Sequence, residues 1–168
     1  MRKMHKTRKK AKTDWKGERI MELFQVIEDG EGIEEAILRA LPARSGQGRV
    51  RGRDPALLVV SPRAVERGLP LPERCRTVLL PGELSGVPLQ ASSAVSYGVS
   101  PRDSLTISSR EGEVLWAALQ RELVTVDGQV VERQEFPLAL EPGEKELSAL
   151  AAAGALLLLG VPPEKLSG

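Results

Sequence analysis

One stretch of this chain has the pieces of a phosphate cradle: a short apolar run, closely spaced glycines and the start of a helical pattern. Glu22 to Ile27 (Glu-Leu-Phe-Gln-Val-Ile) reads as a buried strand, and Asp29-Gly30-Glu31-Gly32 reads as a turn. Ile33, Ala36, Ile37, Ala40 and Leu41 then recur at helical spacing. A helix N-terminus after a strand and glycines presents free N–H groups to an anion. A nucleotide loop also needs a lysine on the β- and γ-phosphates and a hydroxyl on magnesium. Ile33 and Glu34 stand in those places, and Glu28, Asp29, Glu31, Glu34 and Glu35 would bring like charges against a triphosphate. The residues predict the first strand and helix of a sheet, with acidic capping of the helix start. They predict no bound nucleotide and no other cofactor.

The nucleophiles are equally short of partners. Ser61, Ser92, Ser93, Ser100, Ser104, Ser108 and Ser109 lie outside any nucleophile-elbow pattern, and the single histidine, His5, is remote from the apolar segments. A Ser-His-Asp relay therefore has no base. Cys75 is flanked by Arg74 and Arg76, cations that would lower a thiol's pKa, but it too has no histidine beside it and reads as a bystander thiol. One cysteine and one histidine build neither a disulfide framework nor a zinc site of the usual kinds. These absences weigh against an enzyme, leaving Arg102 and Asp103 as the one place for a novel site. The most distinctive candidate is a ligand loop at Tyr97, Gly98, Ser100, Arg102 and Asp103, where a strand ends in glycine and leaves through Ser-Pro. Arg102 would hold an anion there and Asp103 would cap the following element. Trp116 reads as a packing residue in a body so poor in aromatics, and Trp15 is too isolated to form a stacking platform.

The elements that must position these residues follow from apolar spacing and from glycine and proline punctuation. Pro42 ends the first helix, and residues 43–54 are a Gly- and Arg-rich stretch that reads as a mobile linker. Ala56 to Val60 is a strand core, Ser61-Pro62 starts a helix, and Thr77 to Leu80 and Ala94 to Tyr97 are further strands. Ser104 to Ser108 alternates polar and apolar, as a half-exposed strand does. Val114 to Val126 fits a strand or a helix, whereas Leu123 to Val131 is a hairpin turning at Asp127-Gly128. Glu144 to Leu159 is a helix of strong formers, broken by Gly160 and stopped by Pro162-Pro163. The expected fold is α/β: a small, mostly parallel sheet with flanking helices, extended by antiparallel strands from 104 to 140.

The chain has 168 residues, enough for one domain with a real core, and its formal net charge of +1 conceals a strong asymmetry. Residues 1–16 carry eight bases (Arg2, Lys3, Lys6, Arg8, Lys9, Lys10, Lys12 and Lys16) against Asp14 alone. With 24 bases and 23 acids in all, the remainder holds 16 bases and 22 acids, a net charge of −6. Residues 1–20 are expected to form a basic disordered tail on an acidic domain at 21–168, and Met21 is an alternative first residue. Clustered cations displace counterions from phosphates, so residues 1–16 are the candidate anion-binding tail and make nucleic acid a possible partner, with Arg44, Arg49, Arg51 and Arg53 assisting. No apolar run reaches the roughly 18 residues of a membrane span, and no secretory or transit pattern follows the basic run. The expected location is cytoplasmic.

The order of the later segments resembles the second half of the Mur ligase central domain. The resemblance is carried by Ala94-Val95-Ser96-Tyr97-Gly98-Val99-Ser100, a meander with a glycine turn, and Phe136-Pro137-Leu138-Ala139-Leu140. It continues through the alanine-rich run from Ala149 to Leu159 and Gly160-Val161-Pro162-Pro163. In that family a strand ending in an aromatic residue, glycine and leucine leads into an antiparallel sheet, and an alanine-rich helix closes the domain. The resemblance implies that residues 22–41 occupy the place of the family's ATP loop. The loop's lysine and threonine are missing, and Gly143-Glu144-Lys145-Glu146 replaces the family's His-Asn pair. The implied protein is a non-catalytic, Mur-ligase-like binding or scaffold module for a protein partner or a cell-envelope precursor. The alternative is a nucleic-acid-associated protein acting through its basic tail.

Overall fold

The computed structural model describes residues 24–41, 54–82 and 89–166. At its centre Leu57-Leu58-Val59-Val60 forms a strand buried on both faces, which a run of four branched apolar residues favours. This strand, β2 (Leu57–Val60), lies parallel to β1 (Phe24–Ile27) on one side and to β3 (Arg74–Pro81) on the other. The strand β4 (Gln90–Gly98) continues the parallel set, followed by β5 (Leu105–Glu111), β6 (Val114–Leu119) and β9 (Gln134–Ala139). The seven strands stand in the order β1-β2-β3-β4-β5-β6-β9, with β5, β6 and β9 pairing antiparallel. A separate two-stranded ribbon is made by β7 (Leu123–Val124) and β8 (Val130–Val131) around the Asp127-Gly128 turn. The fold is α/β and mostly parallel, with an antiparallel extension.

Parallel neighbours usually need a long crossover. Here six residues, 99–104, join β4 to β5. The short link suffices because β5 starts beside the end of β4, pairing Leu105 with Tyr97 and Thr106 with Gly98, and then runs on past it.

Among the described residues three helices cover the sheet unequally. The first, α1 (Ile33–Ala40), packs Ile33 and Ile37 with Leu57 and Val59 on one face. The second, α2 (Pro62–Glu66), packs Ala64 with Leu58, Val60 and Val78 on the opposite face. The third, α3 (Glu146–Leu158), is apolar all round and buried from Ser148 to Leu158, packed against both α1 and the sheet. Gly154 lets it approach closely, since a Cβ there would lie 3.1 Å from the side chains of both Leu79 and Leu105.

The expected strands and helices occur, with differences that have physical causes. Strands β3 and β4 run longer than the apolar cores at 77–80 and 94–97, because ladder hydrogen bonds extend through Arg74-Cys75 and Gln90–Ser93 whatever the side chains. The ambiguous segment from Val114 to Val126 divides into β6 and β7. The basic tail at 1–20 and the linker from 43 to 53 lie outside the described residues.

Candidate functional site

Consecutive helices α1 and α2 leave adjacent strands toward opposite faces of the sheet. That divergence separates two loops beyond the carboxyl ends of β1 and β2, the region where open α/β sheets take ligands. These are the β1–α1 loop, Glu28 to Gly32, and the β2–α2 loop, Ser61 to Arg63.

Carboxylates of the chain itself occupy this region. The two oxygens of Glu28 accept hydrogen bonds from the amides of Ile33 and Glu34, each at 2.9 Å, and so sit on the first turn of α1. Gly32 at φ 76° turns the chain into that helix and offers no side-chain cap, leaving the amides to Glu28. Glu31 reaches across to the other loop, accepting from the Ser61 hydroxyl and, at 3.1 Å, from the Arg63 amide. It also accepts from the Asp29 amide at 3.1 Å. Asp29 in turn pairs with Arg67 at 2.6 Å and Arg63 at 3.3 Å. The Tyr97 hydroxyl donates to the Val60 carbonyl at 2.7 Å. Burial first, and the nearby Glu31 charge second, push the Tyr97 pKa far above the ordinary phenol value.

The expected acidic capping of the first helix is thus supplied by Glu28. The spacing of the loop did not reveal the contact between Glu31 and Ser61, which are 30 residues apart in sequence. Ser61, fully buried, spends its hydroxyl on Glu31 and its oxygen on the Ala64 amide, as a helix cap.

The five residues of the candidate ligand loop separate into inward and outward groups. Tyr97 is a core residue. The Gly98 carbonyl accepts from the Thr106 hydroxyl at 2.8 Å. Ser100 and Asp103 close a turn on each other: the Ser100 amide donates to the Asp103 carboxylate at 3.1 Å, and the Asp103 amide donates to the Ser100 carbonyl at 3.0 Å. Asp103 is 4% exposed and its carboxylate lies against Gly82 and Gly98, whose missing Cβ atoms make the room. It therefore caps its own turn rather than the following strand. Arg102 alone points to solvent, while its carbonyl accepts from Arg121 at 3.0 Å.

Cys75 overturns the expectation of a lowered thiol pKa. Burial, with the Asp54 carboxylate adding to it, pushes the thiol up to about 11. Arg74 is turned to Asp54 at 3.4 Å instead of to the sulfur. Among the described residues no group of three or more His, Cys, Asp or Glu side chains is arranged to hold a metal ion, and no helix is long and apolar enough to cross a membrane. The eight bases of the candidate anion-binding tail lie outside the described residues, as do Arg44, Arg49, Arg51 and Arg53.

Trp116 is half-buried on the sheet face opposite the main core. Strand β6 alternates, burying Leu115, Ala117 and Leu119 and turning Val114, Trp116 and Ala118 to the opposite face. Since Phe24, Tyr97 and Phe136 are buried, Trp116 is the one aromatic side chain among the described residues that reaches solvent. The alternation of large residues in Val-Leu-Trp-Ala-Ala-Leu was the available signal. No known protein-family profile matches this chain, and no curated protein matches it in sequence.

Proposed function

We propose that this protein is a non-catalytic binding module, a Mur-ligase-like scaffold that holds a protein partner or a cell-envelope precursor in the cytoplasm. The observation that carries the reading is the seat of Glu28 on the Ile33 and Glu34 amides. A helix N-terminus has few free amides, and a carboxylate already fixed on them excludes a phosphate by occupancy and by charge. Glu31 does the same service for the β2–α2 loop. The anion-binding groups at this end of the sheet are spent on the fold.

A thermal-shift titration of the full chain tests this with Mg-ATP, Mg-ADP and a UDP-muramyl precursor. A ligand at one hundred times its dissociation constant stabilises the folded state by about 2.7 kcal/mol. The expected result is no shift with either nucleotide; a shift with the precursor would identify that branch of the proposal. A rise in Tm with Mg-ATP, or ATP hydrolysis that follows the purified chain, would overturn it.

The charge asymmetry favours a second reading, nucleic-acid association through residues 1–16. Binding to duplex DNA that falls steeply with salt and disappears on deleting residues 1–20 would establish it in place of the first.

A further inference from the structure

Strand β4 stands fourth of seven, an interior place where a parallel strand is ordinarily buried on both faces. Its C-terminal end obeys that rule, since Val95 and Tyr97 are buried, but Gln90, Ala91, Ser92, Ser93 and Ala94 are all exposed. The pairing explains the difference. Strand β3 pairs with β4 from Gln90 to Tyr97, whereas β5 meets it only at Tyr97 and Gly98 and then runs on beyond it. Among the described residues no strand pairs with Gln90 to Ser96 on that side. Backbone N–H and C=O groups therefore lie open along about 20 Å.

Sheet edges are usually guarded by charge, proline or shortness. The outer edges of this sheet follow that practice: β1 has four residues, and β9 carries Glu135 and Pro137. Gln-Ala-Ser-Ser-Ala at 90–94 has no such guard. A cavity of about 460 Å³ lies at the start of the open edge, lined by Gln90 and Ser92 of β4, by Arg74 and Arg76 of β3 and by Asp54. Arg74 is spent on Asp54 at 3.4 Å. Arg76 is exposed and has no carboxylate at ion-pair distance among the described residues. Glu73, also exposed, precedes β3 and does not line the cavity.

We propose that the open edge of β4 takes an extended segment of a partner protein as an added strand, with an acidic residue of that segment on Arg76. This rests on the reading of the chain as a binding module and supplies the class of its protein partner. Only an extended backbone matches a row of alternating N–H and C=O groups. The small side chains from Ala91 to Ala94 let such a backbone come to pairing distance, and the unpaired guanidinium selects an acid at the start of the edge. A second copy of β4 supplies no acid, because Gln90 to Gly98 is uncharged, and self-pairing would leave Arg76 unmet. One added strand is a small contact, so the complex is expected to be transient.

Amide hydrogen exchange on the full chain, read residue by residue by NMR, tests the proposal with two end-blocked synthetic peptides. One is Glu-Thr-Val-Thr-Val-Thr, and the other has lysine in place of the glutamate. In the free chain the amides of β4 that face away from β3 should exchange as open groups do. The glutamate peptide should slow them about tenfold at saturation and bind about fivefold more tightly than the lysine peptide. Arg76→Glu, at an exposed position, should reverse that order, with far-UV circular dichroism confirming the fold. Proline in place of both valines should abolish the protection. Outward amides already protected in the free chain, or left unchanged by either peptide, overturn the proposal. Protection that rises with chain concentration alone assigns the edge to a second copy and overturns it too. Equal affinity for the two peptides removes Arg76 from the site and overturns the acidic class of partner. None of these results alters the nucleotide titration, so a failure here is distinct from a failure of the non-catalytic reading.

Discussion

Glu28 and Ile33 are five residues apart, and the carboxylate of the first accepts the amide of the second at 2.9 Å. The contact folds the β1–α1 loop back on itself. It turns what would be an exposed helix start into an internal ion–dipole pair. The other oxygen of Glu28 takes the next amide, so α1 begins with two donors satisfied although Gly32 brings no capping side chain.

Glu28→Ala removes both acceptors and the charge at the positive end of the helix. Losses at helix caps are about 1 kcal/mol, and a charged acceptor serving two amides falls toward the upper part of the 0.5–2 kcal/mol range. Urea unfolding should show a lower midpoint with an unchanged slope. Glu28→Gln, which keeps an oxygen but loses the charge, should fall between the two. If both variants match the unaltered chain, the Glu28 seat does not stabilise α1.

The niche around Asp103 makes a sharper demand. A Cβ at Gly98 would stand 2.5 Å from the Asp103 carboxylate, closer than real contacts allow, and one at Gly82 would overlap the same group. Gly98→Ala is expected to destabilise by about 2–3 kcal/mol, as an overpacked buried site does. Asp103→Ala should cost about 1–3 kcal/mol, because the Ser100 amide loses its acceptor. The double variant should cost less than the sum, since removing the Asp103 carboxylate relieves the clash that Gly98→Ala creates. Additive losses in a denaturant cycle would mean that the two positions do not touch.

Much of this architecture was legible in the chain, and the reasons for the gaps are local against distant. Leu57–Val60, Ser61-Pro62, the Asp127-Gly128 turn and the alanine-rich helix are all specified by neighbours a few residues away. The ligand-loop reading of Tyr97 to Asp103 found a real turn but not the direction of its side chains. That direction depends on Gly82, from another strand. Glu31 meeting Ser61 and Arg63 likewise depends on β1 and β2 being neighbours, which spacing along the chain does not encode. Trp116 was read as packing, and it is half-buried; which face of β6 it takes follows from the strand's alternation only once the inward face is known.

Cys75 gives a prediction about pH. Its thiol is buried, and its pKa is pushed up to about 11, so the folded state holds the proton more tightly than the unfolded chain does. The stability this confers is complete below the ordinary thiol value near 9 and is lost as pH rises to about 11. Stability of the unaltered chain should fall over that window, and Cys75→Ala should flatten the fall. At pH 8 a thiol reagent should label the native protein far more slowly than the urea-unfolded one. Equal labelling rates would place the sulfur at the surface.

Tyr97 is the sole tyrosine of the chain, so phenolate absorbance reports this residue alone. Its hydroxyl is buried and donates to the Val60 carbonyl at 2.7 Å, next to the Glu31–Ser61 contact. Ionisation would leave Val60 without its donor and set a phenolate in the core near a carboxylate. The folded state therefore resists it, and the ionisation lies far above the ordinary phenol value near 10. By linkage, the contribution of this group to stability is intact below about pH 10 and declines as pH climbs beyond. On raising the pH the phenolate signal should stay silent while the fold persists, then appear together with loss of the circular dichroism signal. Tyr97→Phe should cost about 1–2 kcal/mol at neutral pH, because the buried Val60 carbonyl loses its hydroxyl donor. The variant should also be less sensitive than the unaltered chain above pH 10. A smooth titration centred on pH 10 in a protein that keeps its fold would mean that the hydroxyl is open to solvent.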